Sequence, residues 1–173
     1  HLFPILLFLK NLSLSSFYLC FLFLINNKNI FAVEDMLENR DMPQECKNLL
    51  VKMPDLFGGI ETITYVKEQT TNKRALKALE RLEKIYEILS VSGLEDHITF
   101  DLGLLSHYEY YTGVIFKAYT YGTGDAIVTG GRYDNLVEQF GKKTPAVGFA
   151  LLLDQLMEAL RSQEIPIEAQ EKD

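Results

Sequence analysis

The sequence predicts an α+β domain, on two observations. Between residues 72 and 90, Ala75, Leu79, Leu82, Tyr86 and Leu89 recur at three- and four-residue spacing, the period of an amphipathic helix. After Gly93 the pattern changes to short runs rich in Ile, Val, Phe, Tyr and Thr, broken by glycines at 113, 122, 124, 130 and 131, the pattern of a meander of antiparallel strands. Helices first and strands afterwards, with a last helix to cover them, make the α+β class.

Each element follows in order. Two apolar runs, 2–9 and 17–25, are separated by Lys10, Asn11, Ser13, Ser15 and Ser16. Each is about half the length needed to span a bilayer, so they read as two helical pieces packed in a protein interior, not as a membrane segment. No small-x-small cleavage signal follows Ile25. The chain starts at His1 within an apolar pattern, which suggests a missing upstream portion that would cover part of this surface. Residues 26–29 read as a turn and 32–40 as a short helix with Val33, Met36 and Leu37 on one side. Pro43 suits the first turn of a second helix over 43–53, with the Asp41 carboxylate available to its free N–H groups. The segment 54–59, PDLFGG, ends it. Strands are expected over 97–102, 114–121, 126–129 and 146–151. A helix is expected from near Tyr133 to the break at 141–144, and a terminal one over 154–161. The resulting organisation is a helical segment over 1–92, a sheet core over 93–163 and a polar tail over 164–173.

Charge and cysteine count narrow the function classes. The net charge is −7. Residues 1–33 hold only Lys10 and Lys28 as charged groups, and 17 less these 2 leaves 15 basic against 24 acidic side chains in the remainder. A phosphate backbone is repelled by such a balance, so nucleic acid is not an expected partner. Cys20 and Cys46 form no CxxC pair, and His1, His97 and His107 are scattered, so neither a disulfide framework nor a metal site is expected, and no cofactor. The basic residues of 72–90, Lys73, Arg74, Lys77, Arg81 and Lys84, read as the solvated side of an amphipathic helix.

Two stretches could carry chemistry. Tyr110 and Tyr111 precede Thr112 and Gly113 where a loop enters a strand, and adjacent tyrosines on opposite faces can place one hydroxyl in a pocket and one ring in the core. Gly130 and Gly131 allow close approach of backbone to a ligand, with Arg132 as a planar fork for a carboxylate and Tyr133 beside it. Equally, the two glycines make a bulge or a tight chain reversal, and Arg132 pairs with Asp134 or another acid. The residues alone leave both readings open.

The motifs FDLG, YYTGVIF, GGRYDNL and PAVGFA, in this order and spacing, resemble the second half of the catalytic domain of class II histidyl-tRNA synthetases. They resemble still more the paralogous regulatory subunits of ATP phosphoribosyltransferase. The likeness covers about residues 94–160, and the segment ending in MPDLFGG fits the regulatory subunits less specifically. It implies the C-terminal part of a class II synthetase-like antiparallel sheet flanked by helices.

The departures from the synthetase pattern favour the paralogue. Where the synthetases carry an arginine before the paired tyrosines, this chain has Ser106. Loss of one preorganised donor to developing charge typically costs about 2.7–4 kcal/mol in the barrier. Where the third synthetase motif ends in a glycine and an ATP-clamping arginine, Leu152 and Gln155 stand here. What the resemblance implies is retained is an amino-acid pocket formed by Tyr110, Tyr111, Thr112, Gly130, Gly131, Arg132 and Tyr133.

The resemblance therefore implies a cytoplasmic, non-catalytic regulatory subunit of the first step of histidine biosynthesis. Its partner would be a short-form catalytic subunit of ATP phosphoribosyltransferase, with self-association, histidine as ligand, and neither membrane nor nucleic acid bound. The rival readings are a fragment of a histidyl-tRNA synthetase catalytic domain, which is a ligase, and a free-standing histidine-sensing scaffold. A membrane-attached protein would rest on residues 1–25 alone.

Overall fold

The computed structural model describes residues 15–105 and 110–166. Their contacts divide the chain into two compact units, Leu2–His107 and Tyr108–Asp173. The division falls later than the 92/93 boundary drawn from the sequence, because Phe100, Leu102 and Leu105 are buried in the core of the helical unit. The apolar run 2–9 lies outside the described residues.

The helical unit runs α1 (Ser15–Asn26), α2 (Ile30–Glu38), α3 (Gln44–Lys52), β1 (Phe57–Gly58), α4 (Ile60–Gln69), α5 (Lys73–Ser90) and β2 (Phe100–Asp101). Phe17, Phe21 and Ile25 recur every four residues along α1 and are buried, so this apolar run is a core helix, as expected. Among the described residues no helix is long and apolar enough to cross a membrane. Asn29 caps α2 by accepting from the Ala32 N–H at 3.1 Å, and α2 buries Val33 and Leu37. In α3 the N-cap is Pro43 itself, without a side-chain cap hydrogen bond, in place of the expected Asp41 carboxylate. Helix α5 follows the expected stripe: Ala75 and Leu79 are buried, and Leu82 and Tyr86 pack on the core. Asn72 caps it by accepting from the N–H groups of Arg74 and Ala75 at 3.0 and 3.2 Å.

Two elements correct the sequence reading. Residues 60–69, to which no element was assigned, form α4, with Thr62, Ile63 and Val66 buried. The Glu61 carboxylate accepts from the Gly59 N–H at 2.7 Å and so secures its first turn. Of the strand expected over 97–102, only β2 forms; Glu95–His97 is a 3-10 turn. β2 pairs antiparallel with β1, Phe57 facing Asp101 and Gly58 facing Phe100.

The end of α1 makes a long-range tie. Asn29 N–H bonds to Leu24 O and Lys28 N–H to Ile25 O, each at 3.0 Å, which is Schellman closure. Lys28 therefore occupies the left-handed position, φ 55, where glycine is the usual residue. A side chain there costs about 1–2 kcal/mol. The Lys28 ammonium lies 2.7 Å from Asp101 Oδ1, and both groups are partly in water, a pairing worth about 0–1 kcal/mol. The cost equals or exceeds that return.

The sheet unit consists of β3 (Ile115–Ala118), β4 (Val128–Tyr133), β5 (Ala146–Leu151) and α6 (Leu153–Ser162). The strands form an antiparallel sheet in the order β3-β4-β5, the expected meander. Strand β5 and helix α6 lie where the sequence placed them. Strand β4 instead begins at Val128 and continues through Gly130, Gly131, Arg132 and Tyr133, so neither a bulge nor a chain reversal forms at the glycines. The helix expected from Tyr133 is reduced to a 3-10 turn, Val137–Phe140, closed by Gly141 at φ 99.

Candidate functional site

Register and strand alternation assign each site residue to a face. Gly131 pairs with Ile115 on one side and Gly148 on the other, whereas Gly130 pairs with Phe116 and Phe149. Successive side chains of a strand point to opposite faces. One face therefore carries Ile115, Gly131, Tyr133 and Gly148; the other carries Phe116, Gly130, Arg132, Val147 and Phe149.

On the first face the glycines are seats for tyrosine rings. A Cβ at Gly131 would lie 2.7 Å from Cδ1 and Cε1 of Tyr111, and one at Gly148 would meet the Tyr133 hydroxyl at 2.5 Å. Neither position has room for a side chain. Tyr110 completes the group, its ring centroid 4.5 Å from that of Tyr111 and 6.0 Å, edge-on, from that of Tyr133. With Tyr110 38% exposed and Gly131 buried, the cluster is a wall with a polar aromatic rim.

On the opposite face Arg132 lays its aliphatic stem along Gly113, where a Cβ would stand 3.1 Å from its Cδ, and its Nε donates to Asp134 Oδ1 at 2.8 Å. Thr112 ties the two segments together: its N–H donates to Arg132 O and its Oγ1 accepts from Asp134 N–H, both at 2.8 Å. The seven expected pocket residues are thus neighbours in the fold, but they are not one constellation. Tyr110, Tyr111, Gly131 and Tyr133 share a face; Arg132 and Gly130 belong to the other, and Arg132 is engaged by Asp134.

Of the three positions that the resemblance marks as departures from the synthetase pattern, Ser106 lies outside the described residues. Leu152 stands at the N-cap of α6, where its N–H donates to Ile127 O at 2.8 Å. Gln155 accepts through Oε1 from the Thr123 hydroxyl at 2.8 Å and is half-buried. That amide ties α6 to the β3–β4 loop and brings no charge. Sequence reasoning missed Gly113 and Gly148 as seats, although both stand inside the YYTGVIF and PAVGFA motifs; placing Gly148 under Tyr133 needs the register of β4 with β5.

A groove of about 950 Å³ lies elsewhere, in the helical unit, lined by Phe31, Glu34, Glu38, Lys47, Lys52 and Tyr65 among others. Its two lysines are engaged, Lys47 with Glu38 O and Lys52 with the Tyr65 hydroxyl, each at 2.9 Å. Among the described residues no group of three His, Cys, Asp or Glu side chains could hold a metal ion.

Known proteins resemble this chain in sequence and in fold. Residues 17–156 match the family model described as histidyl-tRNA synthetase. The chain is 46% identical over 140 residues to an ATP phosphoribosyltransferase regulatory subunit of Clostridium kluyveri, covering 80% of this chain and 36% of that protein. With the protein of the same description from Acetivibrio thermocellus it is 39% identical over 145 residues, covering 84% and 35%. The chain thus spans about a third of the length of these curated relatives, which are named regulatory subunits. Among solved structures, an ATP phosphoribosyltransferase regulatory subunit/histidyl-tRNA synthetase from Bacillus halodurans C superposes with a TM-score of 0.73 at 31% identity, covering 81% of this chain and 37% of that one. A histidine–tRNA ligase subunit from Alicyclobacillus acidocaldarius gives 0.69 at 28%, covering 94% and 52%. With the model match spanning most of the chain, it belongs to the histidyl-tRNA synthetase family.

Proposed function

We propose that this chain is part of a cytoplasmic, non-catalytic regulatory subunit of ATP phosphoribosyltransferase, acting in the first step of histidine biosynthesis. It associates with itself and with a separate catalytic subunit, a glycosyltransferase that condenses ATP with phosphoribosyl pyrophosphate. The observation that carries this reading is Gln155, at the position the resemblance assigns to the synthetases' ATP-clamping arginine: a neutral amide whose oxygen accepts from the Thr123 hydroxyl stands in this chain, and it supplies no charge. Leu152 stands where the resemblance places a glycine of the synthetases' third motif, and a leucine side chain there leaves less room for a nucleotide. The identity to relatives named regulatory subunits supports the same conclusion.

Histidine is the proposed ligand. Tyr110, Tyr111 and Tyr133 form the wall that takes the imidazole, over Gly131. Arg132, Thr112 and Gly130 hold the strand that carries the wall. Feedback then requires that histidine bind the active and inhibited states of the complex with different affinity, since equal affinity shifts nothing.

The test uses two assays. Amino-acid-dependent exchange of pyrophosphate into ATP is expected to stay at buffer level, and size-exclusion chromatography with the catalytic subunit is expected to show co-elution. Exchange above buffer would overturn the reading in favour of a synthetase; elution apart from the catalytic subunit would favour a free-standing sensor.

A further inference from the structure

We propose that Lys117 receives the carboxylate of the amino acid bound on the tyrosine wall, the role for which the sequence pattern offers Arg132. The proposal rests on the histidine pocket proposed above. Register decides between the two cations. Ile115 faces Gly131 and Lys117 faces Thr129, so these four share one face of the sheet, the face on which the Tyr111 ring sits against Gly131 and Tyr133 against Gly148. Arg132 is one residue out of phase. It belongs to the opposite face, and its Nε donates to Asp134 Oδ1 at 2.8 Å.

Among the strand residues of the tyrosine face Lys117 alone is charged. It is exposed, and no acid pairs with it among the described residues. Along β4, Tyr133 lies two residues from Gly131 in one direction and Thr129 two residues in the other, each about 6.8 Å away. The face therefore has an aromatic end and a cationic end, with the Tyr111 ring between them. An amino acid with its ring at Tyr110 and Tyr133 would turn its carboxylate toward Lys117 and Thr129, where a charge-assisted hydrogen bond can form. A lysine on an outer strand also deters edge-to-edge pairing. That use is served from either face and predicts no effect on ligand binding.

Calorimetric titration of the purified chain with L-histidine and with L-histidinol, in which a hydroxymethyl group replaces the carboxylate, tests the assignment. The parent is expected to bind L-histidine about fivefold more tightly than L-histidinol. Lys117→Gln should remove that preference through weaker binding of L-histidine, and Lys117→Arg should keep it. Arg132→Gln should weaken both ligands alike, through the strand that it holds, and keep the preference. An equal preference in the parent and in Lys117→Gln overturns the proposal. So does a preference lost in Arg132→Gln alone, which would return the carboxylate to Arg132. Binding of both ligands by the parent without any preference removes the role of Lys117 and leaves the pocket. Failure of the parent to bind either ligand removes the pocket, and the role of Lys117 with it.

Discussion

The two units of this chain place their large apolar side chains in opposite environments. In the helical unit Phe21, Ile25, Val33, Ile63 and Leu79 are fully buried, and the helices contribute to one core. In the sheet unit Val147, Phe149 and Leu151 alternate along β5 at 66%, 71% and 51% exposure, and among the described residues Ala159 is its only buried apolar side chain. The first unit is held by removal of apolar surface from water, about 1.5–3 kcal/mol for each large side chain. The second is held by its backbone ladder and by rings seated on glycine. One unit is therefore sensitive to loss of volume, the other to gain of it.

The sharpest break of this contrast is Leu79→Ala. Leu79 is fully buried on α5, and its truncation leaves a cavity among packed neighbours, with an expected loss of about 2–5 kcal/mol in urea unfolding followed by helical circular dichroism. A loss below about 1 kcal/mol would mean that the helical unit has no tight core.

Gly131→Ala tests the opposite sensitivity. Its methyl group would meet two Tyr111 ring carbons at 2.7 Å and Val114 O at 2.9 Å, so the ring must leave its seat. Overpacking of this kind costs about 1–3 kcal/mol. The expected signature is a changed tyrosine signal in the near ultraviolet with the helical signal intact. An unchanged tyrosine signal would remove the seat.

Legibility in the sequence followed the locality of the interactions. Helix α5 was readable because its stripe and its Asn72 cap are both local, and β5 because its apolar run is bounded by Pro145. Helix α4 was not: Gly58 and Gly59 before it and Thr62 and Thr64 within it argue against a helix, and burial of Ile63 and Val66 overrides that preference. Strand β4 was cut short because paired glycines resemble a turn. Their reason is steric: Phe116 Cζ would stand 2.7 Å from a Cβ at Gly130, and Tyr111 occupies the space at Gly131. That Arg132 and Tyr133 diverge to opposite faces follows from alternation, but only once the strand is known to continue. Lys28 and Asp101, 73 positions apart, gave no local signal.

Phe149→Ser carries the smallest expected effect and tests the contrast from the other side. At 71% exposure the ring has little burial to lose, so the unfolding free energy should change by less than about 0.5 kcal/mol. Phe149 lies on the outer strand of the described sheet, paired through β4 alone, between Val147 and Leu151 on the same face. Such an apolar edge favours association with other strands. Light scattering should therefore show less self-association for the variant at equal concentration. A destabilisation above about 1.5 kcal/mol would instead show that Phe149 is covered, and the sheet unit would then depend on burial as the helical unit does.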